Sequence, residues 1–91
     1  MDKDKYFKTS SFQLAVFLFV KELELVGLEW IEERRATFAF VNTPDMEQLV
    51  NSFNFGKSDD PIVMADVRKV LMSSKLIKDK LYQGRNERFG N

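Results

Sequence analysis

The stretch Leu14-Ala15-Val16-Phe17-Leu18-Phe19-Val20 decides the fold, because it is the longest unbroken apolar run in the chain. At helical spacing its side chains cover most of the circumference, whereas an amphipathic surface helix shows a single apolar stripe. We predict a helix from about Ser11 to Lys21, with Ser10 as N-cap and Gln13 in the capping-box position three residues later. Such a helix needs cover on more than one side, so we expect a sheet on one side and another helix or a second subunit on the rest.

The segments around this helix predict a small antiparallel sheet. Aromatic and β-branched residues favour an extended segment at Tyr6 to Thr9, and near-alternation over Leu23 to Glu33 indicates a strand in which Gly27 marks either a bulge or a close backbone approach. Ala36 to Val41 forms the next strand, with alternate residues sharing a face. Two strands so close in sequence pair as an antiparallel hairpin, and the first segment would make a third strand.

Two further helices are predicted by their start signals. Thr43-Pro44-Asp45 combines a threonine cap with a proline at the first helical position, and Gly56 supplies a left-handed stop. Asp60-Pro61 repeats the start, and a seam then runs at steps of four and three to about Tyr82, with Gly84 as the stop. The seam comprises Val63, Val67, Val70, Ser74, Ile77 and Leu81.

These elements give an α+β fold in the order β-α-β-β-α-α, with a sheet of two to three strands packed by three helices. Ninety-one residues make one domain, with a frayed start over residues 1–4 and a polar tail over residues 85–91. The apolar run is too short for a membrane span of about 20 residues, and the mixed charge before it argues against a signal peptide. We therefore expect no membrane association.

Five short motifs spread along the chain form a recognisable set: Thr9-Ser10 before Leu14-Ala15-x-x-Leu18, Gly27-Leu28-Glu29, Arg34-Arg35-Ala36-Thr37-Phe38-Ala39-Phe40, Leu49-Val50-x-x-Phe53 and Lys75-x-x-x-Asp79-Lys80-Leu81-Tyr82. From about Lys5 to Tyr82 the chain thereby resembles a family of small bacterial and phage proteins of unknown function. The resemblance implies a cytoplasmic bacterial protein, often from a phage or an integrated element, and it carries no catalytic residues to this chain. The absence of cysteine fits a reducing compartment.

Nothing in the sequence forms a catalytic or cofactor signature. The chain contains neither histidine nor cysteine, which removes the commonest general base and the thiolate nucleophile. The carboxylates between Glu22 and Glu33 are typical of a solvated helix end and turn, and Ser74 beside Lys75 is a weak serine–lysine pair. The glycines are isolated, so no phosphate-binding loop is present. We predict no enzyme activity, no cofactor and no metal.

The apolar content points instead to association. Nine phenylalanines in so short a chain are either a phenylalanine-rich core or a core plus an interface, and the sequence leaves these two interpretations open. An excess of apolar surface marks a subunit or partner contact, and a two-fold dimer is the commonest way to cover it. The leading hypothesis is a homodimer or a complex with a protein partner. Its interface residues would be Phe17, Phe53, Phe55, Val67 and Leu71.

A nucleic-acid-binding accessory protein is the alternative hypothesis. The formal net charge is zero, but the segment from Arg68 onward carries seven basic and two acidic residues. Basic side chains on the last helix would contact phosphates, and Tyr82 and Phe89 would stack on single-stranded bases. A solvated basic face explains the same pattern, and the neutral total charge favours it. The phosphate-contacting residues would be Arg68, Lys69, Lys75 and Lys78.

Overall fold

The computed structural model describes the backbone of residues 5–89 and the side chains of residues 5–86, and it confirms the α+β class and the predicted element order. Within these residues the chain forms three strands, three α-helices and a short 3-10 helix. The frayed start predicted for residues 1–4 lies outside the described residues. The elements are β1 (Tyr6–Thr9), α1 (Phe12–Val20), β2 (Leu25–Glu32), β3 (Arg35–Val41), α2 (Met46–Phe55), the 3-10 helix (Pro61–Val63) and α3 (Val67–Phe89).

The three described strands form one antiparallel sheet in the order β1-β3-β2. The register places Phe7 opposite Phe40 and Leu28 opposite Phe38. The predicted bulge is confirmed, since the β2–β3 ladder shifts between Leu25 and Gly27. The alternation predicted for β3 is also confirmed, because every second residue from position 36 to position 40 is buried and faces the helices.

The core is built around α1, as the apolar run predicts. Ala15 and Leu18 have no exposed surface, and six of the nine residues of α1 are buried. The inner face of β3 covers one side of this helix, while Met46 from α2 and Ile77 from α3 reach the same cluster. The cover on several sides that α1 requires thus comes from within the chain.

The cap of α1 differs from the prediction by one residue. Ser11, not Ser10, is the N-cap, and its hydroxyl accepts a hydrogen bond from the Leu14 N–H at 3.1 Å. Thr9 Oγ1 in turn accepts the Ser11 N–H at 3.0 Å. The third residue after the true cap is therefore leucine, and the predicted capping box with Gln13 does not form.

The start and the end of α2 are also different in detail. Asp45 holds the N-cap position without a side-chain cap bond, and Thr43 instead bonds the Asp45 carboxylate. Gly56 follows the helix as predicted, but its backbone is extended at φ −68° and ψ 153°, not left-handed. Glycine is needed there for space, because an added Cβ would lie 2.5 Å from the backbone oxygen of Ser52.

Gly56→Ala is expected to lower the stability of the fold by about 1–3 kcal/mol, since the methyl group forces the end of α2 to move. Gly27→Ala is the matched control, because a Cβ there meets Ala39 Cβ at an ordinary 3.8 Å. Urea denaturation of both variants tests the difference. Equal midpoints for the two variants would show that the end of α2 adapts freely.

The last helix begins later and ends later than predicted. Asp60-Pro61 starts the 3-10 helix, where Asp60 Oδ1 accepts the Ile62 N–H at 2.9 Å. α3 begins only at Val67, after Asp66, and the helix continues through Gly84 to Phe89. The predicted stop at Gly84 is therefore wrong. Of the polar tail predicted for residues 85–91, residues 85–89 are helical, and residues 90–91 lie outside the described part of the chain.

Packing against β2 explains why α3 passes through a glycine. A Cβ at Gly84 would lie 3.4 Å from the Trp30 indole nitrogen, so the missing side chain lets the ring approach the helix. The same nitrogen donates a hydrogen bond to the Leu81 carbonyl oxygen at 3.0 Å. This contact between strand and helix favours continued helix where isolated glycine would end it.

Candidate interaction surface

The five predicted interface residues differ in exposure: two phenylalanines pack on each other in or against the core, and the other three residues are exposed. Phe17 is buried in the core, and its ring packs on that of Phe53, with centroids 4.9 Å apart and a tilt of 38°. Phe53 is partly buried against the same cluster. These two phenylalanines join α1 to α2. The side chain of Phe17 is therefore not accessible in this conformation, and its contact with a partner stays a prediction.

Phe55 is exposed but stands apart from the exposed residues of α3. Its side chain has 82% of its surface accessible at the end of α2. A shallow hollow beside it is lined by polar residues of α2, among them Glu47 and Asn51, and by Gly56. The surroundings of Phe55 are therefore mostly polar.

Val67 and Leu71 lie one turn apart on the outer side of α3, with 69% and 65% of their surface exposed. Tyr82, further along the same side, is 62% exposed. At 3.6 residues per turn, residues at steps of four, three, four and four from position 67 share this side of the helix. We name this set the α3 stripe: Val67, Leu71, Ser74, Lys78 and Tyr82.

The seam predicted from the sequence is divided between two sides of α3. Val67 and Ser74 of that seam belong to the stripe, whereas its Val70, Ile77 and Leu81 face the core together with Ser73. Tyr82 was predicted to stack on bases. Sequence reasoning also missed Met72 and Leu76, which are exposed on another side of α3 and whose i, i+4 spacing was the signal for a shared face.

The four residues of the nucleic-acid hypothesis lie on α3, and three of them contact carboxylates. Lys69 Nζ lies 3.1 Å from Glu22 Oε2, and Lys75 Nζ lies 3.3 Å from Asp79 Oδ2. Arg68 pairs with Asp66 at 3.5 Å. Lys78 is exposed and makes no ion pair within the described residues. Much of the basic charge of α3 is thus already matched by acidic groups of the same chain.

Ion pairs also attach both ends of α3 to acidic residues outside this helix. Near its start Lys69 reaches Glu22, just after α1. Near its end Arg85 Nε donates to the Glu33 carbonyl oxygen at 3.3 Å, with its guanidinium 4.0 Å from the Glu33 carboxylate. Exposed pairs of this kind contribute little stability each, but they offset the charge asymmetry within the chain.

Asp66 begins α3 as a charged cap. Its carboxylate accepts the Arg68 N–H at 2.8 Å. That backbone hydrogen bond, followed by the bond from the Arg68 side chain, holds the pKa of the Asp66 carboxyl below its ordinary value. The group therefore stays ionised at neutral pH, where its negative charge favours the positive end of the helix dipole.

The described part of the chain lacks two features that would indicate other functions. The side chains of residues 5–86 form no group of three or more carboxylates placed to hold a metal ion. No described helix has the length and apolar character needed to cross a membrane. The exposed surface of α3 offers both apolar and charged contacts.

Comparison with known proteins identifies a family but no activity. A family model described as "Domain of unknown function (DUF5659)" matches residues 4–82. This confirms the expectation of an uncharacterised family, while an origin in bacteria or phages stays a prediction. No curated protein matches the chain, and no solved structure matches it.

Proposed function

We propose that this chain, which belongs to the DUF5659 family, is a non-enzymatic module that self-associates through the α3 stripe. Two copies would pack their last helices antiparallel about a two-fold axis. The observation that carries the proposal is the exposure of Val67, Leu71 and Tyr82 on one side of a single helix. Large apolar side chains grouped in this way favour a protein contact over solvent.

The spacing of the α3 stripe supports a symmetric antiparallel pair. With the axis between Ser74 and Lys75, Val67 lies opposite the partner's Tyr82, and Leu71 lies opposite the partner's Lys78. A valine can pack on a tyrosine ring, and the lysine stem can cover a leucine while its ammonium stays in water. The small side chain of Ser74 lies nearest the axis, where the two helices come closest. Four of the five members of the stripe then lie opposite another member, and Ser74 lies opposite the partner's Lys75.

The length of α3 supports a contact of adequate size. At about 1.5 Å per residue, its 23 residues extend roughly 35 Å. A specific interface buries about 800 Å² on each partner, which requires a helix of this length together with its flanking side chains. The aromatic residue at one end suits the role of an anchor, since tyrosine is enriched among residues that dominate binding energy.

Charge determines how the pair should respond to salt. Lys75 lies next to the axis, so its copies approach each other, but each is matched by Asp79 in its own chain. The remaining like charges of two basic helices repel weakly, and salt screens them. Self-association should therefore persist or strengthen slightly at high salt. Binding to nucleic acid would weaken steeply instead, and the internal ion pairs of α3 make that alternative the less supported one.

Leu71→Lys is expected to weaken self-association by about 30-fold or more, because it places two lysines opposite each other at two symmetric positions. Light scattering and sedimentation over a concentration series measure the effect against the unmodified chain. Ile31→Lys is the control, since Ile31 is an exposed apolar residue on β2, outside the stripe.

The charge-swap variant Leu71→Lys with Lys78→Glu tests the register directly. Opposite charges would then face each other in the antiparallel pair, so part of the lost affinity should return. An unmodified chain that stays at the 10.7 kDa monomer mass at millimolar concentration would contradict the proposal. So would equal weakening by Ile31→Lys, and nucleic acid that co-purifies and is removed by salt would support the alternative.

A further inference from the structure

We propose that the groove between β2 and α3 binds a carboxylate with an unbranched alkyl tail, such as a medium-chain fatty acid. The groove has a volume of about 500 Å³, within the range of about 300–1,000 Å³ typical of ligand sites. Its lining comprises Phe19, Leu25, Val26, Gly27, Leu28 and Lys80.

The lining is apolar apart from a single cation. The side chains of Phe19, Leu25 and Leu28 pack on the core from beneath and stay partly accessible from the groove. An alkyl tail placed over them would leave water together with the apolar surface it covers. Each methylene buried in this way tightens binding by about fourfold, so affinity should rise with tail length until the groove is filled.

Lys80 provides the charge complement for a carboxylate head group. Among the side chains of residues 5–86, which the structure describes, it makes no ion pair, although Arg68, Lys69, Lys75 and Arg85 of the same helix each contact a carboxylate. Its ammonium therefore remains available beside an apolar surface. A single negative charge at the end of an apolar tail matches this arrangement, whereas a cationic head group would be repelled.

A local distortion of the sheet forms the wall of the groove. The β2–β3 ladder shifts between Leu25 and Gly27, and Val26 at this bulge is exposed. Bulges are over-represented beside binding sites because they redirect a side chain and interrupt strand pairing. Val26 and Gly27 at this bulge line the groove together with Lys80, so the bulge contributes to the concavity that an alkyl tail would fill.

The groove is independent of the α3 stripe. Lys80 follows Leu71 by nine residues, which is two and a half turns at 3.6 residues per turn. The two side chains therefore leave opposite sides of α3. A ligand in the groove and a second copy on the stripe do not compete for the same surface, so either proposal can fail without the other.

The test is titration of the protein with decanoate. Binding is monitored by the fluorescence emission of Trp30, the single tryptophan of the chain, and by amide NMR shifts. Decanoate should shift the signals of Gly27, Leu28 and Lys80, and butyrate should not. Lys80→Gln should weaken decanoate binding about fivefold. Lys75→Gln is the control on the same helix and should leave the affinity unchanged. Decyltrimethylammonium, with the same tail and the opposite charge, should bind more weakly than decanoate.

Three results would overturn the proposal. Equal affinity in the Lys80→Gln and Lys75→Gln variants would remove the role of the cation. Shifts centred on Leu71 instead of Gly27 would indicate non-specific coating of the exposed helix face. Groove signals that change with protein concentration and no ligand would show that a second copy occupies the groove. The Leu71→Lys variant should still bind decanoate. A failure of the groove proposal can therefore be distinguished from a failure of the self-association proposal.

Discussion

Phe40→Ala is expected to destabilise the fold by about 3–5 kcal/mol, the usual cost of emptying a buried phenylalanine site. Phe40 is fully buried at the centre of the sheet, opposite Phe7 on β1 and Leu25 on β2. The cavity would open between α1 and both edge strands, which limits how far the surroundings can collapse. Domains have total stabilities of about 5–15 kcal/mol, so this single change should remove a large part of the stability or unfold the chain at room temperature.

Phe55→Ala makes the same chemical change on an exposed side chain and serves as the control. Its effect on stability should stay within about 0.5 kcal/mol. Urea denaturation followed by circular dichroism compares the two variants. If Phe55→Ala costs as much as Phe40→Ala, then Phe55 packs against something in solution, and a partner contact at the end of α2 becomes the first explanation to test.

The parts of the fold that the sequence predicted correctly are governed by short-range patterns. The apolar run of α1 allowed no position except the core, and the alternation in β3 defined its buried face. Both patterns depend on the period of one element. The pairing of β2 with β3 followed because a short connection leaves an antiparallel hairpin as the simplest arrangement.

The errors fall where two local signals compete or where distant residues decide. Asp60 and Asp66 are both good caps, and only the structure shows that the first begins a 3-10 helix and the second begins α3. The sequence alone predicts a helix stop at Gly84, whereas in the structure Trp30 packs against this glycine and the helix continues. Because α3 begins at Val67 and not at Pro61, the first residue of the predicted seam, Val63, lies in the 3-10 helix.

The candidate site was predicted only in part, because the exposure of its residues depends on contacts between distant parts of the chain. Counting phenylalanines indicated surplus apolar surface but did not say which rings lie outside. The rings of Phe17 and Phe53 pack on each other, while Val67 and Leu71 lie outside because a different side of α3 supplies Ile77 to the core. The groove beside Lys80 was not predicted, since it depends on how α3 packs against a bulge in β2.

Ile77→Ala is expected to destabilise the fold by about 2–5 kcal/mol and to loosen α3 in particular. Ile77 is fully buried and is the residue of α3 that lies within the core cluster. The other described links from α3 to the body are weaker: partly buried packing, the Trp30 hydrogen bond and exposed ion pairs. Removing the isoleucine side chain should therefore weaken the docking of the helix more than it weakens the sheet.

Leu76→Ala is the control at the neighbouring position, because Leu76 is about half exposed and its loss should cost less than about 1 kcal/mol. Denaturation gives the total effect, and amide hydrogen exchange shows where it acts. Exchange in α3 should rise well before exchange in β3 in the Ile77→Ala variant. Since both the α3 stripe and the groove require a docked helix, this variant should also reduce self-association and decanoate binding together. Loss of stability with uniform exchange across α3 and β3 would instead mean that α3 and the sheet unfold as one unit.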